Sequence, residues 1–167
     1  LDLEKIIKAI KRYKPKLIFL SSPNNPTGNC YSSEKMLRII DLTSSLIARY
    51  SLLSLVVVDE AYQPFSSETG FLPFLKDYKN LLIMRTLSKI GLAGLRAGFL
   101  IADEEIIKEV NKVRLPFNVN SLSQKIAGEA LKDRKELQSR IKSIISERER
   151  LFNELSEIEG IKPYPSE

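Results

Sequence analysis

Apolar residues recur along the chain with two different periods, and the switches between them divide it into helices and strands. In "DLEKIIKAIKRYK", Leu3, Ile6, Ile7 and Ile10 fall at helical spacing behind Asp2, whose carboxylate suits an N-cap. "KLIFLSS" comes next as a short buried strand. A second helix is predicted from about Ser33 to Tyr50, with Met36, Leu37, Ile39, Ile40, Leu46 and Ile47 on its apolar side, and then "LLSLVVVDEAY", a β-branched strand ending in acid. "GFLPFLKDYKN" reads as a short helix or an irregular link, "LLIMRTLSK" as a third strand and "RAGFLIA" as a fourth. The loop between the last two is too short for a parallel crossover, so the fourth strand is expected antiparallel. Asp103 should cap "EEIIKEVNKV", and Ser121 with Gln124 spells a capping box for the next helix. A long amphipathic helix is expected from about Glu136 to Ile158, before Gly160. Its stripe of Ile141, Ile144, Ile145, Leu151, Leu155 and Ile158 suits core or interdomain packing better than a coiled coil, because no charge code flanks it. The fold class is therefore α/β, with three parallel strands, one antiparallel strand and flanking helices.

Composition narrows the chemistry more than the fold. The chain has 167 residues, 43% of them hydrophobic, enough for a real core. Its net charge of +5 comes from 26 basic and 21 acidic residues interspersed along helices, the pattern of a solvated surface and not of a nucleic-acid patch, though it suits phosphorylated small ligands. A single Cys30 permits no intrachain disulfide, and no apolar run approaches the ~20 residues of a membrane span. With no signal peptide at its start, the chain is expected in the cytoplasm, away from membranes. Histidine is absent, which excludes a Ser-His-Asp triad, a His-bearing metal site and a His general base; no metal site is expected. Acid-base work would fall to Lys, Asp, Glu or Tyr. The start at Leu1 and the final "PYPSE", which resembles the lead-in to another strand, suggest a piece of a longer protein.

Open α/β sheets bind ligands beyond the carboxyl ends of their strands, and the distinctive polar residues cluster there. Asn24 and Asn25 come after the first strand, Asp59 and Tyr62 after the second, and Thr86, Ser88 and Lys89 after the third. Each group also has a plainer reading. "SSPNNPTGNC" is a turn by composition, and Asp59 could simply cap the next helix. A strand ending in Asp-Glu also serves nucleotide hydrolases, but no G-x-x-x-x-G-K-[ST] loop accompanies it here. Lys89 alone could be a surface lysine, and Gly91, Gly94 and Gly98 alone are a weak signal. Together the corners hold an amine suited to Schiff-base formation, a carboxylate for a protonated pyridine nitrogen, and an Asn and a Tyr for a phenolic oxygen. Hydroxyls and Arg96 suit a phosphate. That set is what pyridoxal 5'-phosphate requires.

"PNNPTG", "VVVDEAY" and "RTLSKIGLAGLRAGFL" resemble the signatures of the class I/II, fold-type I aminotransferases, and "KVRLPFNVNSLSQ" is most similar to the histidinol-phosphate aminotransferases. The resemblance implies Lys89 as the Schiff-base lysine and Asp59 at the pyridine nitrogen. It implies Asn25 and Tyr62 at the phenolic oxygen, and Arg96 with Ser88 and Thr86 at the phosphate. It also implies a cis Asn25-Pro26 bond, with Asn24 only shaping the turn. The stretch from Lys89 to Arg96 is one residue shorter than in many such proteins.

On this resemblance, residues 1–135 are part of the cofactor-binding large domain, and 136–167 are the connecting helix and the start of a small domain. The implied function is amino transfer between histidinol phosphate and 2-oxoglutarate in histidine biosynthesis, by a homodimer taking small amino-acid and 2-oxo-acid substrates. The piece alone is expected to bind the cofactor weakly and not to turn over. Alternatives are an aminotransferase for aromatic or other amino acids, a phosphothreonine decarboxylase, or the non-enzymatic effector half of a transcription regulator.

Overall fold

In the computed structural model, which describes the backbone of residues 1–50 and 54–167, the chain alternates helices and strands around one four-stranded sheet. Helix α1 (Leu3–Tyr13) leads into β1 (Leu17–Ser21), α2 (Ser33–Tyr50) into β2 (Leu55–Asp59), and a long link into β3 (Leu81–Thr86). Strand β4 (Gly98–Ala102) precedes three helices, α3 (Glu104–Val113), α4 (Ser121–Lys132) and α5 (Arg134–Ser156). The strand order is β1-β2-β3-β4. The first three strands run parallel and β4 is antiparallel, pairing Arg85 with Phe99 and Thr86 with Gly98. Leu52 and Leu53 of the expected second strand, and the side chain of Ile47, lie outside the described residues.

Alternation along the strands explains which face carries the core. Val56, Val58, Leu81 and Ile83 point to one side and pack on Ile10, Met36, Ile39 and Ile40 of α1 and α2, all essentially inaccessible to water. Each such side chain contributes roughly 1.5–3 kcal/mol of transfer free energy. Most polar groups at this layer are tied in, Asn80 Oδ1 being the buried side-chain atom without a partner among the described residues. Thr43 donates to the Ile39 and Ile40 carbonyls and accepts from Asn80 Nδ2 at 2.9 Å, while Ser54 donates to the Pro15 carbonyl. A second cluster of Phe65, Leu87, Ile90 and Ala127 holds the strand-end turns against α4 and α5, with Leu137, Ile141 and Ile145 packed on it.

Two helix starts differ in detail from the sequence reading. Asn120, not Ser121, caps α4: its Oδ1 accepts from Ser123 N at 2.8 Å, and Gln124 Nε2 reaches back to the Val119 carbonyl. The cap lies one residue earlier, where asparagine is as good as serine, and Gln124 donates to a carbonyl instead of accepting from the cap's amide, so the expected Ser121–Gln124 capping box is replaced by a simple asparagine cap. Helix α5 begins at Arg134 because Asp133 caps it, accepting from Glu136 N at 3.0 Å. Asp2 and Asp103 cap α1 and α3 as expected. The 71–80 stretch is an irregular link containing one 3-10 turn at Leu72–Phe74.

Candidate functional site

The carboxyl ends of β1, β2 and β3 lie side by side, with Ser21 level with Asp59 and Asp59 level with Met84. The three segments that leave these positions are brought to one edge of the sheet.

After β1 the chain turns through two cis bonds, Ser22-Pro23 and Asn25-Pro26. Asn24 builds the turn: its amide N–H donates to the Asn29 carbonyl, its carbonyl accepts from Gly28 N, and its Nδ2 donates to Thr27 Oγ1 at 2.7 Å. That leaves Asn25 exposed and turned outward. Its Nδ2 lies 3.3 Å from Tyr62 Oη, a contact across two strand ends.

After β2, Asp59 is half-buried and its Oδ1 accepts from Ala61 N at 3.0 Å, which steadies the turn into Tyr62. A 3-10 turn over Gln63–Phe65 then anchors Phe65 in the second cluster. Tyr62, at the N-terminal edge of that turn, is held half-buried.

After β3, Thr86 Oγ1 accepts from Ser88 N at 3.1 Å, and a 3-10 turn over Ser88–Ile90 buries Ile90 while projecting Lys89 outward. Lys89 Nζ stands 5.0 Å from the centroid of the Tyr62 ring, within reach of a cation–π attraction. A second 3-10 turn, Ala93–Leu95, ends at Arg96, whose φ of 51° is left-handed and whose side chain is exposed. Gly98 then opens β4, where a Cβ would lie 2.8 Å from the Arg85 carbonyl oxygen; only glycine allows the strands to approach so closely there.

Asn25, Tyr62 and Lys89 thus touch or nearly touch, Thr86 and Ser88 are joined by a hydrogen bond, and Asp59 sits at the adjacent strand end. Arg96 stands on the following turn, with no bond to the others. The donor set at this edge is an amide, a phenol, an ammonium, two hydroxyls and a guanidinium, with one carboxylate beside them. Such a set suits a small anionic aromatic ligand that carries a phosphate, a phenolic oxygen and a basic ring nitrogen.

Two features here are not visible in the sequence. Residues 161–167 run back without regular structure to the β1 corner, where Glu167 N donates to the Gly28 carbonyl. The Glu167 carboxylate accepts from Ser67 N at 3.0 Å and from Ser67 Oγ, and the Ser67 amide bond holds its carboxyl below the ordinary glutamate range. A hollow of about 260 Å³ remains between Asn25, Tyr62, Gly28 and Ser166. The other feature is Glu60, fully buried behind the site and paired with Arg85. Acid at a strand end and base before "TLSK" carry no sequence signal that they face inward together.

The family description "Aminotransferase class I and II" matches residues 1–167. A histidinol-phosphate aminotransferase of Caldanaerobacter subterraneus subsp. tengcongensis is 46% identical over 166 residues, covering 99% of this chain and 44% of that protein. Among solved structures, the histidinol-phosphate aminotransferase of Clostridium acetobutylicum superposes with a TM-score of 0.85 at 28% identity, over 98% of this chain and 48% of that one. The histidinol-phosphate aminotransferase of Sinorhizobium meliloti, solved in complex with pyridoxal-5'-phosphate, superposes with a TM-score of 0.80 at 28% identity, over 99% of this chain and 44% of that one. The chain therefore spans less than half the length of the relatives it matches.

Proposed function

The chain belongs to the class I and II aminotransferases, and on that premise we propose that it is part of a pyridoxal-phosphate-dependent enzyme that transfers an amino group between histidinol phosphate and 2-oxoglutarate. The observation that carries this reading is the convergence of Asn25 Nδ2, Tyr62 Oη and Lys89 Nζ from three separate strand ends onto one corner. The donor set at this corner suits that cofactor. Bound at this edge, the cofactor would supply an electron sink for the bonds at the substrate's Cα.

The residues divide the remaining work by chemistry. Lys89, whose ammonium stands over the Tyr62 ring, is the amine that holds the cofactor and later moves a proton at the substrate's Cα. Asn25 and Tyr62, already aligned with each other, orient a phenolic oxygen by donation. Asp59 keeps a ring nitrogen protonated, its carboxylate steadied by Ala61 N. Thr86, Ser88 and Arg96 receive the phosphate, two hydroxyls and one fork-shaped cation.

The proposal extends to the rest of the enzyme. Residues 1–135 belong to the cofactor-binding domain, and 136–167 to the connecting helix and the start of a small domain. The full-length protein works as a cytoplasmic homodimer on small amino-acid and 2-oxo-acid substrates; among the described residues no helix is long and apolar enough to cross a membrane. The 167 residues alone bind the cofactor weakly and do not turn over, in keeping with relatives more than twice as long.

Mixing the chain with pyridoxal phosphate and following the visible absorbance of lysine-bound cofactor tests the core of this reading. The band should form, and Lys89→Ala should remove it; its absence from the full-length wild-type chain would refute the proposal. Assaying the full-length chain with histidinol phosphate beside an aromatic donor and phosphothreonine decides the substrate.

A further inference from the structure

We propose that the buried Glu60 carboxylate is a positioning residue for the Asn25–Tyr62–Lys89 corner: it ties the link that carries Tyr62 to the strand that carries Lys89, and so sets where the two stand. The role in catalysis rests on the function proposed above; the positioning itself rests on geometry alone.

Glu60 lies one residue past Asp59, so its side chain leaves the strand end on the opposite face, toward the helix-covered core, where it is 1% exposed. A carboxylate at such a place is very unfavourable unless every lone pair finds a donor. Both oxygens are used, and each by a different element. Oε2 accepts from Arg85 Nε and Nη2, both at 2.8 Å, which fastens it to β3. Oε1 accepts from Phe71 N at 2.5 Å, which fastens it to the far end of the link. The main chain of Glu60 also donates to the Met84 carbonyl and accepts from Gln63 N.

The link from Ala61 to Gly70 therefore leaves Glu60 and returns to it. Tyr62 lies on this closed loop, whose return passes through Gly70 at a φ of 74°; a Cβ on Gly70 would lie 2.6 Å from Glu60 Oε1. Phe71 beyond it is buried in the main core. Arg85, the other partner, directly precedes Thr86 and stands four residues before Lys89 on the same strand and turn. One carboxylate thus couples the two segments whose side chains meet at Tyr62 and Lys89. An apolar pair of the same volume could fill the space equally well, but it would hold neither the Phe71 amide nor the Arg85 fork in a fixed direction.

Glu60→Gln isolates this role. The glutamine can still accept from Phe71 N, but it turns an N–H donor toward the Arg85 fork, donor against donor. In the cofactor-free chain, labelled for NMR, the wild type should show a through-space cross-peak between the Asn25 side-chain amide and the Tyr62 ring, and a ring-current shift on the Lys89 ε-methylene. Glu60→Gln should lose both while the methyl signals of Ile39, Val56 and Ile83 stay in place, showing an intact core. Glu60→Asp, charged but one methylene short, should lose them in part. With pyridoxal phosphate added, Glu60→Gln should retain cofactor about tenfold less well than wild type. A folded Glu60→Gln chain that keeps both NMR signals overturns the proposal. If Glu60→Gln does not fold, Arg85→Lys, which keeps the charge and loses the fork, is read the same way: retained signals overturn the proposal and lost signals support it. A full-length wild type that never forms the lysine-bound band, while Glu60→Gln still loses the NMR contacts, would refute the aminotransferase reading and leave the positioning role standing.

Discussion

Single residues decide how the site is shaped, and two of them make sharp tests. Gly70 combines a left-handed backbone with a neighbour that leaves no room for a side chain, whereas nothing lies within 4 Å of a Cβ built on Gly94. Gly70→Ala should therefore cost about 1–3 kcal/mol in urea unfolding, and Gly94→Ala should move the midpoint little; equal effects would contradict this contrast. Glu167 is the second. Its folded-state carboxyl is held low, chiefly by the Ser67 amide, so the stabilisation it brings is complete above the ordinary glutamate range and disappears as pH falls through the lowered folded value. A carbon-detected titration should find Glu167 below the chain's exposed glutamates, and a midpoint among them would show that residues 161–167 are not docked as described. At this scale, Asn25 and Lys89 stood out in the sequence only together, because each alone reads plainly as a turn or surface residue, while the three strand-end groups combined match the needs of one cofactor. Glu60 and Arg85 did not, because a charged residue at a strand end is ordinarily solvated, and only the returning link and the neighbouring strand give Glu60 its burial and its partners.

Elements were mostly readable, since helix and strand periods are local properties of the chain. The antiparallel direction of β4 was set by the length of the loop before it, and the glycine that begins the strand answers a contact with Arg85 that no pattern announces. Helix starts were readable only to within a residue or two. At α4 both Asn120 and Ser121 are good caps by type, and the choice went to the residue whose backbone is extended, with φ −69° and ψ 155°, and whose Oδ1 reaches Ser123 N. Asn120→Ala should then destabilise the chain by about 1 kcal/mol, and Ser121→Ala by much less, in parallel denaturation curves. The reverse order would restore the serine cap. Helix α5 uses its apolar stripe unevenly: Ile141 and Ile145 pack on the strand-end turns, while Ile144 and Leu151 remain about half exposed.

The whole molecule shows a sheet dressed more fully on one face than on the other. Leu17 and Phe19 on the edge strand β1 are 53% and 63% exposed, and Met84 and Leu100 share their side of the sheet. An apolar edge of this kind favours association. The 167-residue chain should sediment as a concentration-dependent mixture, and Phe19→Lys should shift it toward monomer; an ideal monomer at all concentrations for the wild type would contradict this. By itself the sequence determined the order and type of the elements, the class of the fold and the set of polar residues at the strand ends, because each depends on neighbours a few positions apart. Only the tertiary structure decided that Asn25 meets Tyr62 across 37 residues, that Glu60 binds both Phe71 and Arg85, and that Glu167 reaches Ser67 across 100. The physical reason is that strand register and helix packing set those contacts, and they choose among charged residues that look alike along the chain by giving some of them partners and leaving the rest in water.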